Sequence, residues 1–258
     1  MNTARLFFVG GLLAYRGLFR WLTPSVFVPT MIGIPIFQMI FFVLLGRSGG
    51  SGDDTFYAIG NAVQSCAMAG LFASTMAIAN ERFGGTLEAV LATPSSRMVV
   101  FGGRLVPPAL TGMAISTIML TLSVVLFDVR IPPAATPVLM ATVVACSLST
   151  SALGLTLGAL GLRYRDAMFL SNLVLYAMLL LCGTNVPLDE LPYPLRVVSE
   201  LMPLTHGLRA GRDAIAGAPA YGAVGVEFLV AGAYLMLALA MLGVYERGSR
   251  RHATLERV

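Results

Sequence analysis

Six apolar runs fill most of this chain: residues 26–45, 56–79, 106–127, 135–160, 168–186 and 223–244. Each is close to the roughly 20 apolar residues that carry a helix across a bilayer core about 30 Å thick. Strands of a membrane barrel would alternate apolar and polar residues over about 10 positions. These runs are apolar on every face, and a helix satisfies its own backbone where no water can. The predicted fold is therefore all-α: one polytopic membrane domain over residues 1–258 with six transmembrane helices. The composition agrees, at 57% hydrophobic and 12% charged, where a soluble domain carries roughly a quarter of its residues as charges.

Every basic residue except the two histidines is arginine; the chain contains no lysine. A phosphate-binding loop of the GxxxxGK[ST] type needs a lysine to reach the nucleotide phosphates, and Schiff-base chemistry needs a lysine amine. Both are excluded. The arginines also set an orientation, because positive charge accumulates on the cytoplasmic side. With the N-terminus inside, Arg5, Arg16, Arg20, Arg82, Arg97, Arg104, Arg163, Arg165, Arg247, Arg250, Arg251 and Arg257 lie inside, against Arg47, Arg130, Arg196, Arg209 and Arg212 outside. Both termini are then cytoplasmic, as an even number of spans requires, and residues 246–258 form a cytoplasmic tail.

Residues 1–22 are amphipathic, with Leu6, Val9 and Leu13 set against Arg5, Arg16 and Arg20. They read as a basic helix on the inner membrane surface, ended by Thr23-Pro24; a plain extension of the first span is the alternative. The first apolar run lacks a small-residue cleavage site after it, so it reads as a span and not as a signal peptide. Cys66, Cys146 and Cys182 all fall inside apolar runs without metal-ligand spacing, and read as small apolar side chains. No catalytic set and no metal site can be assembled.

Polar residues inside the spans are few. Gln38 lies in the first; Asn61, Gln64 and Ser65 share a face of the second; Asn172 lies in the fifth. Two readings stay open for them: hydrogen bonds between helices, or the lining of a substrate path. Glu227 opens the last span, near enough to the outer interface to reach water. Ser147, Ser151, Gly154, Gly158 and Gly161 make a small-residue stripe on the fourth span, suited to close helix packing. Residues 187–221 are too long for a turn. Pro192, Pro194 and Pro203 divide them, and the apolar spacing predicts two short helices, over 195–201 and 204–216, on or dipping into the outer leaflet.

Residues 81–97 are the charged exception between the second and third spans. Phe83, Leu87, Val90 and Leu91 fall on one helical face, Glu81, Arg82 and Glu88 seek water, Gly85 and Thr86 follow the first turn, and Thr93-Pro94 stops the helix. Such a segment either rests on the membrane or docks a cytoplasmic motor.

At this point the chain resembles the permease subunit of the type-2 family of ATP-binding cassette (ABC) exporters. Three places carry the resemblance: Glu81 through Pro94, similar to the family's "E…GTLE.LL.TP" cytoplasmic helix; Arg163-Tyr164-Arg165-Asp166 between the fourth and fifth spans; and Asn185-Val186-Pro187, Leu191-Pro192 and Met202-Pro203-Leu204-Thr205-His206, similar to its broken extracellular hairpin and "PLT" turn. The resemblance implies a bacterial inner-membrane protein in which two permease subunits, alike or different, pair around a pathway. It implies a separate cytoplasmic ATPase that closes on ATP and pushes on Glu81, Arg82, Phe83, Gly85, Thr86, Leu87, Glu88, Leu91, Thr93 and Pro94. This chain would bind no cofactor, catalyse nothing and contact no nucleic acid; the partner uses the ATP. Gln38, Asn61, Gln64 and Asn172 are the candidates for the substrate path. Aromatic residues make up 9% of the chain and form no obvious sugar-stacking stripe, which points to a hydrophobic drug, antibiotic or lipid-like cargo. A polysaccharide or glycolipid exporter is the alternative. A lipid-modifying membrane enzyme would need clustered His, Asp or Glu at a membrane face, and there is none; an ion-coupled carrier would need buried ionisable groups, and only Glu227 is available.

Overall fold

The computed structural model describes residues 11–13, 25–26, 29–50, 53–83, 85, 97–161 and 166–252, with the backbone alone for 81–83, 97–100 and 245–252. Its described residues are helical apart from turns, bends and short irregular connections such as 128–132, with no strand among them. A π-helical turn, Pro29–Gly33, leads into α1 (Ile34–Ser48); then come α2 (Asp54–Phe83), α3 (Arg97–Phe127), α4 (Thr136–Gly161), α5 (Ala167–Leu181), α6 (Tyr193–Leu201), α7 (Thr205–Ile215) and α8 (Tyr221–His252). Of the predicted surface helix at residues 1–22, only 11–13 fall among the described residues, and they are helical.

Among the described residues, five helices are long and apolar enough to cross a membrane: Pro29–Ser48, Asp54–Asn80, Phe101–Phe127, Pro133–Gly161 and Tyr221–Val244. The expected span over 168–186 is shorter than the sequence suggests. Helix α5 has 15 residues, about 22 Å at 1.5 Å per residue. It stops because Gly183 turns the chain at φ 79°, a left-handed conformation that glycine adopts without strain. Thr184 and Asn185 then hydrogen-bond sideways to α2 instead of continuing the helix. Asp166 starts α5 by accepting from Phe169 N at 2.9 Å, a side-chain N-cap.

Helix α3 is longer than expected. It begins at Arg97, not near residue 106, and runs through Pro107 and Pro108 without a break. Arg104, expected on a cytoplasmic connection, is instead buried inside this helix. It donates to Ala77 O at 3.3 Å and stacks 5.0 Å from the Phe101 ring. Packing against α2 overrides the local breaking tendency of Gly102-Gly103.

Helices α2 and α4 form the centre and pack on each other; α3, α8, α1 and α5 surround them. The small stripe on α4 is what allows the close approach. A Cβ on Gly154 would lie 2.5 Å from Leu71 O, and one on Gly158 3.0 Å from Thr75 O. Polar ties fill the same seam: Thr75 Oγ1 donates to Gly154 O at 3.0 Å, Ser171 Oγ of α5 donates to Thr75 Oγ1 at 3.0 Å, and Thr156 Oγ1 donates to Tyr234 O of α8 at 3.0 Å. The stripe is internal packing, except that Gly161 faces Ala167 at the start of α5. Outward faces carry exposed Phe37, Phe41, Val125, Phe169, Leu229 and Met236, the surface that a hydrocarbon environment tolerates.

The antiparallel run of long helices gives the bundle two ends. At one end lie Glu81–Phe83, the start of α3 and the end of α8. At the other lie the α1–α2 turn, closed by Arg47 Nε donating to Asp54 Oδ1 at 2.9 Å, and the hairpin of α6 and α7.

Candidate functional site

The segment that sequence reasoning favoured for a motor contact is only partly described. Glu81, Arg82 and Phe83 are not the start of a separate helix; they are the last residues of α2, so that end of the segment is continuous with a central rod of the bundle. Gly85 follows in an exposed turn at φ 65°. Thr86, Leu87, Glu88, Leu91, Thr93 and Pro94 lie outside the described residues, as do Arg163, Tyr164 and Arg165.

Three of the four intramembrane amides come together. Gln38 Nε2 of α1 donates to Asn61 Oδ1 of α2 at 2.9 Å. Asn61 Nδ2 donates to Tyr57 O at 2.8 Å and to Asn185 Oδ1 at 2.7 Å. One turn further along α2, Gln64 Oε1 accepts from the Thr184 hydroxyl. Ser65, on the same face, donates to its own helix at Ala62 O, 2.7 Å away. The amides therefore tie α1, α2 and the turn after α5 into one network. Beside it sits a small cavity of about 30 Å3 lined by Pro35, Gln38, Gln64, Ser65, Met68 and Tyr176, with Leu175 and Leu179, room for about one water. Asn172 is not part of it. It lies on α5 and donates back to Met168 O at 3.0 Å.

The hairpin end holds two charged groups whose roles the sequence understates. Glu227 was expected to reach water from the interface; it is fully buried instead. One carboxylate oxygen accepts from Leu204 N at 2.9 Å and from the Ser149 hydroxyl of α4; the other accepts from Gly207 N at 3.1 Å. Leu204 is the N-cap residue of α7 and supplies no side-chain cap of its own. A helix start has unpaired N–H groups and a partial positive charge. Glu227 of α8 satisfies both from outside the helix. Leu204 itself stands at φ 76°, a conformation that costs a non-glycine residue roughly 1–3 kcal/mol. The missing signal was in the sequence: Met202-Pro203-Leu204 opens a helix with no Ser, Thr, Asp or Asn at its cap, so the acceptor had to come from a neighbour.

Arg212, on α7, is the second. The sequence places it only among the outside arginines. Its guanidinium donates to Gly183 O at 2.6 Å, Thr184 O at 3.0 Å and Phe56 O of α2 at 3.0 Å, and it stacks 3.6 Å over the Phe56 ring. Burial pushes its pKa down to about 10, opposed by Asp53, so it stays charged at neutral pH. Nearby, Arg209 Nη2 donates to Glu200 Oε1 at 2.7 Å and Arg196 pairs with Asp189 at 3.1 Å. These residues line a cleft of about 350 Å3 between the hairpin and the start of α2.

The arrangement offers no nucleophile with a base and, among the described residues, no group of ligands that could hold a metal ion. It offers a helical bundle with a polar network inside it and a strained, externally capped hairpin at one end. Residues 11–216 match the family model for the ABC-2 type transporter. The chain is 30% identical over 182 residues to Nodulation protein J of Neorhizobium galegae, covering 69% of this chain and 67% of that protein. No solved structure matches. The chain belongs to the ABC-2 type transporter family, as the membrane component of a transporter and not its ATPase.

Proposed function

We propose that this chain is the membrane-spanning subunit of an ATP-driven exporter, with α5 counted as a sixth span and the subunit working as a dimer. The observation that carries the reading is the family match over most of the chain, joined to a sequence without any lysine for a phosphate-binding loop. The energy must come from an ATPase partner. On this reading the protein sits in a bacterial inner membrane with Glu81–Phe83 and both termini facing the cytoplasm and the hairpin outside, an orientation that the arginine distribution supports. The partner then docks on Glu81, Arg82, Phe83, Gly85, Thr86, Leu87, Glu88, Leu91, Thr93 and Pro94. Because Glu81–Phe83 end α2, a push there is delivered along a helix that reaches Phe56 and Asn61 at the other end. Gln38, Asn61 and Gln64 line the path on this reading; Asn172 contributes only if a second subunit covers α5.

The cargo is a hydrophobic drug, antibiotic or lipid-like molecule. One observation favours a second reading, a polysaccharide or glycolipid: the hairpin cleft is lined by Arg196, Glu200, Arg209 and Asp213, groups that meet hydroxyls better than alkyl chains. The test is co-expression and co-purification with a candidate ABC ATPase from the same organism, followed by reconstitution in liposomes. A stable complex whose ATP hydrolysis depends on this chain supports the reading; a pair that never associates removes it.

A further inference from the structure

The cleft beside the hairpin carries one charge of each sign that the protein leaves unmatched. Helix α7 gives its inner faces to α4 and α8: Ala210 and Ala214 pack with Leu139 and Val224, and a Cβ on Gly211 would lie 3.3 Å from Leu139 Cδ2. Its remaining face, with Thr205, Leu208, Arg209 and Arg212 at helical spacing, lines the cleft, and α6 faces it with Arg196 and Glu200. Most charges there are spoken for. Arg196 pairs with Asp189 at 3.1 Å, and Glu200 holds Arg209 at 2.7 Å with His206 at 3.6 Å.

Two groups remain. Asp213 is partly buried in the last turn of α7, and its side chain makes no hydrogen bond or ion pair among the described residues. A carboxylate there sits at the negative end of the helix dipole. Arg209, one turn back, could neutralise it but turns to Glu200 instead. Arg212 donates only to carbonyl oxygens. Asp53 attracts it without a direct bond, and its buried Nε–H has no acceptor among the described residues. An acid without a cation and a cation without an acid, on neighbouring residues of one cleft, match a small zwitterion. The cleft, at about 350 Å3, falls within the roughly 300–1,000 Å3 of small-molecule sites.

Helix α6 indicates the source. Adjoining the face that bears Arg196 and Glu200, a ridge of Tyr193, Val197 and Leu201, four residues apart, stands exposed. Charges beside an apolar ridge suit the boundary between headgroups and acyl chains. We propose that the cleft holds a phospholipid of the outer leaflet by a phosphoethanolamine headgroup. The ammonium sits on Asp213, the phosphate at Arg212, and the acyl chains follow the α6 ridge. A primary ammonium donates charge-assisted hydrogen bonds to the carboxylate. The quaternary ammonium of phosphatidylcholine donates none, and the headgroup of phosphatidylglycerol carries no cation. Binding therefore falls in the order ethanolamine, choline, glycerol. The site needs this end of the bundle to lie at a membrane surface; it needs no ATPase and no particular cargo.

The full chain, in detergent micelles with equal amounts of dioleoyl phosphatidylethanolamine, phosphatidylcholine and phosphatidylglycerol, is analysed by native mass spectrometry, and the retained lipids are counted. The expected ratio of ethanolamine to glycerol lipid is roughly tenfold, as one hydrogen bond between charged groups supports. Asp213→Asn brings the ratio to about one without lowering the unfolding temperature, and Glu190→Gln, an exposed acid outside the cleft, leaves it unchanged. Asp213→Lys reverses the order, because an anionic headgroup then meets two cations. Equal retention of the three lipids overturns the site, as does a preference that survives Asp213→Asn. A marked loss of stability in Asp213→Asn would show that the protein itself engages the acid, and overturns it too. Soluble phosphoethanolamine that displaces the lipid as well as short-chain phosphatidylethanolamine does at the same concentration overturns the membrane source. Indifference to lipid leaves the exporter reading intact, and a chain that binds no ATPase leaves the lipid site intact.

Discussion

Replacing Glu227 by leucine keeps most of the side-chain bulk and removes both acceptor oxygens. The N–H groups of Leu204 and Gly207 then stay buried with no acceptor from α8, each at about 1–3 kcal/mol. Ser149 adds little, because its hydroxyl is 3.1 Å from Cys146 O and can turn there. Opposing this, leucine abolishes the desolvation of a buried carboxylate. Substituting an entire buried ionic pair with apolar groups is often neutral or stabilising, but deleting one partner while the other remains is not. Here the donors remain, so the orphaned N–H groups decide the sign, and the expected loss is about 2–6 kcal/mol. Glutamine keeps one carbonyl oxygen for Leu204 and Ser149 but turns an NH2 toward Gly207 N; one orphaned donor predicts about 1–3 kcal/mol. Stability should fall in the order glutamate, glutamine, leucine. At roughly 2–4 °C per kcal/mol for a chain of this size, thermal unfolding in nanodiscs should show a drop of about 5–20 °C for Glu227→Leu. A leucine variant as stable as the parent, or more stable than the glutamine variant, would refute the capping role.

Other expectations follow from the same contacts. Gly154→Val forces apart backbones that leave 2.5 Å between a Cβ and Leu71 O, costing about 1–3 kcal/mol or more; unfolding temperature reads it, and Gly222→Val, which meets open space, is the control. Arg212→Lys replaces a planar fork that serves three carbonyls and a ring by a point charge; hydrogen exchange at residues 183–186 should rise, and unchanged exchange would show that Arg212 does not hold that turn. Leu87→Asp combined with Glu88→Lys should leave the protein inserted and ATP hydrolysis in place while abolishing transport into liposomes; normal transport in the double variant would remove the docking role of that segment.

The bundle was legible because hydrocarbon leaves a spanning chain one economical solution, and apolar runs of spanning length announce it. The Gly154 and Gly158 stripe was legible for a similar reason: small residues at helical spacing have few uses besides close approach. What escaped depends on partners distant in sequence. The end of α5 at Leu181 is made by the left-handed turn at Gly183 and held by Thr184 and Asn185 bonding to Gln64 and Asn61, some 120 residues away. Arg104 looked like a loop charge because its acceptor, Ala77 O, belongs to another helix. Glu227 looked solvent-bound because its own surroundings in the sequence do not show that the uncapped start of α7, some 20 residues earlier, packs against it. Hydropathy reads the environment of each residue; it does not read which neighbour completes its hydrogen bonds.

The central claim is that energy enters this chain from an ATPase seated at the α2 end. Cys66, Cys146 and Cys182 are all buried, so an introduced surface thiol can be addressed selectively. Leu87→Cys, and separately Arg196→Cys at the hairpin, are treated with a short bifunctional maleimide in the assembled complex. An adduct with the ATPase subunit from Leu87→Cys and none from Arg196→Cys is the predicted result. An adduct from the hairpin position, with position 87 labelled freely and never joined to the ATPase, would contradict the account.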